Sequence, residues 1–158
     1  MEHVLTREQI LPGDPDEVFG FFANAFNLEA ITPPWLRFRV LTPGPVHLAP
    51  GTLIEYRLEL HRIPIRWLTR IETWVAGERF VDVQIRGPYR LWHHTHTFEA
   101  HDGGTLVRDR VRYALPLGLL GELAHRLLVR RDLERIFDFR QASVPRMLGA
   151  PSGPRFTK

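Results

Sequence analysis

The chain has 158 residues, 44% of them apolar and 25% charged, with a formal net charge of +3. This composition suits one soluble domain able to bury a core or enclose a cavity, and no apolar run approaches the roughly 20 residues that crossing a bilayer takes. With no cysteine, disulfides, thiolate nucleophiles and cysteine metal sites are excluded.

All 21 basic residues are arginine except Lys158. They are spread along predicted strands and a helix, the pattern of a solvated, salt-bridged surface, so no nucleic-acid partner is expected. The opening "MEHVLTREQIL" carries Glu2 and lacks a continuous apolar segment. We therefore expect no signal peptide, a cytoplasmic location and no stable membrane insertion.

In chain order, His3 to Leu11 reads as a strand halted by "PGDP". Asp14 then sits as an N-cap, with Pro15 at the first helical position and Glu17 three residues on. Val18, Phe21, Phe22 and Phe26 follow at helical spacing, and a second short helix, "NLEAIT", is closed by Pro33 and Pro34. From residue 37 the period changes to two. "FRVLTPG" is a short strand, and Gly51 opens a longer one with Ile54, Tyr56, Leu58 and Leu60 on one face. "HRIP" turns into a strand with Trp67, Thr69, Ile71 and Thr73 on one face, and "RFVDVQIRG" follows. "LWHHTHTFEAHDGGTLVRDRVRY" then reads as a hairpin. Beyond "LPLG", Leu119 to Leu148 is one long helical stretch or two joined pieces. Its apolar stripe runs through Leu120, Leu123, Leu127, Leu133, Ile136, Phe137, Val144 and Leu148, and Pro145 should kink or fray the end. A curved antiparallel sheet of six to seven strands wrapped around that helix hides both apolar faces, an α+β architecture. Residues 1–148 form one domain, and the tail 149–158 is expected to be mobile.

The hairpin holds four of the eight histidines. Alternation puts Trp92, His94, His96 and Phe98 on one face, and these bulky aromatics must face the helix. In the next strand Val107, Asp109, Val111 and Tyr113 oppose Arg108, Arg110 and Arg112. Three arginines cannot be the buried set, so Asp109 points inward. A four-residue "HDGG" loop pairs Ala100 with Thr105, which sets His96 opposite Asp109 and Trp92 opposite Tyr113. A three-residue "GPY" loop pairs Arg86 with Arg90, setting Asp82 opposite His94 and Gln84 opposite Trp92. A turn at Gly77–Glu78 sets Asp82 opposite Thr73, although a slip of one residue would turn Asp82 outward. A filled core would be cheaper with Leu and Val than with these polar groups. The belt of Asp82, Gln84, His94, His96, Asp109 and Tyr113 instead predicts a polar-dotted apolar cavity.

Other chemistries have less support. His94 and His96 share a strand face and would need Asp109 or Asp82 as a third metal ligand; this spacing does not by itself make a site, and no metal or cofactor is expected. "GGT" at 103–105 is a hairpin turn and not a phosphate loop. Ser143 and Ser152 lie in a helix and a tail, outside any nucleophile elbow.

The order of elements, with "PGDPDEVFGFFAN", "FVDVQIRGPYRLWHHTHTFE", "GGTLVRDRVRYALPLG" and "RIFDFRQASVPRML", resembles the START-like, or polyketide cyclase/dehydrase-like, superfamily over residues 1–148. The resemblance implies the helix-grip fold, with a deep cavity between the long helix and the concave sheet. It also implies a hydrophobic small-molecule ligand, of polyketide, isoprenoid or lipid type. Trp67, Trp92, Phe98 and Tyr113 would supply apolar contact, and His94, His96, Asp109, Asp82 and Gln84 would orient a carbonyl or hydroxyl. The alternative is a cyclase or dehydratase in the same pocket, with His96, oriented by Asp109, as general base.

Overall fold

A computed structural model of the chain describes residues 1–149; the predicted mobile tail, apart from Gly149, lies outside them. Seven antiparallel strands form one sheet: β1 (His3–Leu11), β2 (Arg39–Val40), β3 (Leu53–Leu60), β4 (Ile63–Val75), β5 (Arg79–Arg86), β6 (Leu91–His101) and β7 (Gly104–Ala114). Their spatial order is β1-β7-β6-β5-β4-β3-β2, so every pair except β1–β7 is sequential and the first strand closes onto the last. Helices α1 (Pro15–Phe22) and α2 (Asn27–Ala30) follow β1, as expected, with a 3₁₀ turn at Pro34–Leu36 behind them. The chain ends in α3 (Gly118–Ala124), a π-helical turn (His125–Val129) and α4 (Arg130–Leu148), which run on continuously.

The local signals act as their chemistry dictates. The Asp14 carboxylate accepts from the Glu17 backbone N–H at 2.9 Å, capping α1. The β6–β7 register is the expected one, from Ala100↔Thr105 through His96↔Asp109 to Trp92↔Tyr113. The arginines of β7 face outward, where Arg108 pairs with Glu8 and Glu99 and Arg112 pairs with Glu2. Pro145 lies inside α4, which continues past it to Leu148. Lacking an N–H, Pro145 leaves the Gln141 carbonyl without its helical donor; the Gln9 side chain donates to that oxygen at 2.7 Å, and Gln141 Nε2 donates back to the Glu8 carbonyl. The proline thus helps to stitch α4 to β1.

Two expectations need correction. Asp82 is opposite Ile71, not Thr73, because the β4–β5 ladder begins with Val75↔Arg79 and is shifted between Ile71 and Thr73. Glu72 is the extra residue of this bulge. The slip would have turned Asp82 outward, and the bulge turns it back. Secondly, Leu120, Leu123 and Leu127 are not part of the stripe that faces the sheet. α3 and the π turn bury Gly121 and His125 instead, and the leucines are exposed.

Candidate functional site

Between α4 and the concave face of β3–β6 lies a cavity of about 170 Å³, an order of magnitude more than one water needs. Leu133, Ile136, Phe137 and Arg140 of α4 form one side; Tyr56, Trp67, Thr69 and Ile71 form much of the other. Trp67 and Trp92 meet edge to face at 5.0 Å and wall one end. This apolar space carries one concentrated polar feature, where Asp82, His94 and His96 reach its surface.

Those three join Asp109 in a buried tetrad. The two imidazoles lie 3.8 Å apart between centroids. His94 Nε2 is 3.0 Å from Asp109 Oδ1, and His96 Nε2 is 3.1 Å from Asp82 Oδ2. His96 Nδ1 also lies 2.7 Å from Asp109 Oδ1, at an angle too poor for a hydrogen bond, and His94 Nδ1 lies 3.5 Å from Asp82 Oδ2. The cross-strand partners His96–Asp109 and Asp82–His94 are as read from the turns, yet the aligned hydrogen bonds run to the other carboxylate in each case. Each aspartate touches both rings.

Burial alone would raise both carboxyl pKa values, but the imidazoles outweigh it and hold Asp82 and Asp109 below the ordinary aspartate range. For His94, burial and the neighbouring ring push the pKa down. For His96, burial is overcome by the two carboxylates, which raise its pKa. The two imidazoles are therefore unequal: the carboxylates favour the charged form of His96, and burial beside a second ring favours the neutral form of His94.

The sign of the pH dependence follows. Asp82 and Asp109 contribute stability that is whole above the ordinary aspartate value of 3.8 and is lost as pH falls below it. His94, depressed, loses its contribution as pH falls below 6.5; His96, raised, loses its own as pH rises above 6.5. Denaturant midpoints across pH should therefore show a shallow alkaline decline and a steeper acid one. An Asp82→Asn/Asp109→Asn variant should flatten the limb below pH 3.8, and an unchanged limb would contradict the assignment.

The other predicted residues are placed as follows. Trp67 and Trp92 line the cavity, but Gln84, Phe98, Asp109 and Tyr113 do not. The β5–β6 ladder stops at Val83↔His93, and beyond it Gln84 grips the backbone of Tyr89, donating to its carbonyl at 2.6 Å and accepting from its N–H. Phe98 is packed among Phe19, Phe22 and Phe80. Asp109 lies behind the imidazoles and borders a smaller pocket against β1. The Tyr113 hydroxyl is 2.9 Å from His125 Nε2.

Sequence reasoning missed two charged groups on the cavity wall. Arg140 lines the cavity, and its Nε is buried without a hydrogen-bond partner. It follows Leu133 by seven residues and Phe137 by three, so the helical period that marked the stripe marks it too. Asp132 also lines the cavity, and its carboxylate meets His61 Nε2 of the β3–β4 turn at 2.7 Å; no local pattern announces that contact. Two clusters among the described residues have metal-ligand composition: Asp82, His94 and His96, and, apart from the cavity, His3, Glu122 and His125. In the first, all four ring nitrogens already face carboxylates.

Residues 11–139 match the family model described as polyketide cyclase / dehydrase and lipid transport. No curated protein matches the chain. Among solved structures, protein CV1439 from Chromobacterium violaceum superposes with a TM-score of 0.73 at 12% identity, covering 94% of this chain and 98% of that one. The Zhui aromatase/cyclase from Streptomyces sp. R1128 gives 0.72 at 12% identity, covering 94% of each chain. Ara h 8.0201 gives 0.68 at 14% identity, covering 96% of this chain and all of its own. These likenesses establish the helix-grip fold.

Proposed function

Because this chain belongs to the polyketide cyclase / dehydrase and lipid transport family, we propose that it binds a hydrophobic small molecule of polyketide, isoprenoid or lipid type between α4 and the sheet. The observation that carries this reading is the cavity itself, largely apolar, with Asp82, His94 and His96 together on its wall. The apolar wall supplies affinity by removing ligand surface from water; the tetrad supplies orientation, offering both a donor and an acceptor to a carbonyl or hydroxyl.

An apolar fluorophore such as 1-aminoanthracene tests the proposal. It should bind the full chain and quench Trp67 and Trp92. Leu58→Trp, which places an indole in the space from the β3 wall, should weaken that binding at least about tenfold with the melting temperature kept. Binding indifferent to Leu58→Trp would place the ligand elsewhere.

A second reading, proton transfer next to a substrate carbonyl, is favoured by the unequal imidazoles. A neutral His94 is suited to accept a proton, and a charged His96 to donate one. The sequence names His96 as the base; its two flanking carboxylates favour the protonated ring, and in this second reading we give the base role to His94 and the acid role to His96.

A further inference from the structure

The end of the sheet formed by the close of β3, β5 and β7 and the start of β1, β4 and β6 gathers several segments side by side. They are the β3–β4 turn at His61–Arg62, the β5–β6 loop, and the descent from β7 into α3. The surface there is unlike the rest. Leu117, Leu119, Leu120 and Leu127 are 77%, 89%, 70% and 66% exposed, Leu123 and Leu128 are more than half exposed, and Ile63 stands out on the hairpin opposite. The helix that bears the leucines is docked by its small and polar residues: Gly121, where an added Cβ would strike the Pro116 carbonyl, and His125, held by Tyr113. Its apolar stripe is turned away from the protein.

Exposed apolar patches on this scale mark interaction surfaces. Basic residues rim the patch: Arg126 and Arg131 on the helix and Arg62 on the hairpin are exposed and form no ion pair among the described residues. The contact of His61 with Asp132 brings that hairpin against the start of α4. The cavity lies directly beneath, since Pro88, Tyr89, Val129 and Asp132 line it at this end.

We propose that this end of the molecule docks on an anionic lipid surface, the leucines entering the headgroup boundary and the arginines meeting the phosphates. No helix among the described residues is long and apolar enough to cross a membrane, so the attachment is interfacial and reversible. The charge selects this occupant over a second copy of the chain, because a two-fold contact through the same leucines would set the same unpaired arginines near one another. The proposal does not depend on what fills the cavity.

The test is co-sedimentation of the full chain with vesicles of equal parts phosphatidylcholine and phosphatidylglycerol, beside vesicles of phosphatidylcholine alone. Binding should be strong to the anionic vesicles at low salt and should weaken as salt is added. Leu119→Glu/Leu127→Glu should lower partitioning at least about tenfold, and Arg126→Glu/Arg131→Glu should remove the preference for anionic lipid. Both variants change exposed side chains and should keep the melting temperature and the cavity's fluorophore binding. Protein that stays in the supernatant with anionic vesicles at low salt overturns the proposal. So does a dimer in sedimentation velocity that Leu119→Glu/Leu127→Glu converts to monomer, which would assign the leucines to a second copy.

Discussion

Asp109→Ala should lower the unfolding free energy by about 3–5 kcal/mol, the cost of removing one partner from a buried ionic network. For a domain stabilised by about 5–15 kcal/mol that is a large share of the total. The carboxylate contacts both imidazoles, so its loss leaves His96 with one counter-charge instead of two and His94 Nε2 with no acceptor. Urea unfolding followed by tryptophan fluorescence measures the loss, and a change below about 1 kcal/mol would show that the four groups do not act as a unit. A companion variant separates stability from function. Replacing Asp82, His94, His96 and Asp109 together with leucine removes all four members of the network at once, and such replacements elsewhere are often neutral or stabilising. The all-leucine protein should therefore fold better than Asp109→Ala while losing its preference for ligands that bear a carbonyl or hydroxyl.

His94→Gln should lower the rate of proton transfer by about 10²–10⁴-fold, the usual contribution of a positioned general base. Glutamine retains hydrogen-bonding capacity toward Asp109 but cannot take up a proton. Exchange of the methylene protons of an aryl 1,3-diketone into deuterated water, followed by NMR, reads this step without knowledge of the natural ligand. The wild-type chain should accelerate exchange, with fluorophore binding kept in the variant, because a base acts on the barrier and not on ground-state affinity. If His96 supplies the proton, His96→Gln should slow exchange at neutral pH and progressively less as pH rises above 6.5, where the wild-type ring loses its proton. A wild-type chain that leaves the exchange rate unchanged would restrict the cavity to binding and carriage.

Much of this architecture is legible in the sequence because its determinants are local. Period-two alternation in β6 and β7, with three arginines that cannot be buried, is enough to send His94, His96 and Asp109 inward. Loop lengths are enough to set His96 opposite Asp109 and Asp82 opposite His94. The N-cap at Asp14 and the stripe of Leu133, Phe137 and Val144 are local in the same sense, since each depends on residues within one or two turns.

Tertiary structure alone decided the rest. Which carboxylate bonds which imidazole follows from the curvature of three adjacent strands, and cross-strand pairing does not specify a diagonal contact. Glu72 bulges where the β4–β5 register shifts between Ile71 and Thr73, and that bulge turns Asp82 inward. Gln84, Phe98 and Tyr113 have the inward parity of cavity residues yet find partners in a backbone, an aromatic cluster and a histidine. Parity states which face a side chain is on, not what stands across from it. The same holds for Leu120, Leu123 and Leu127: helical period reveals an apolar stripe, but only the packing of Gly121 and His125 decides that the stripe faces away from the protein.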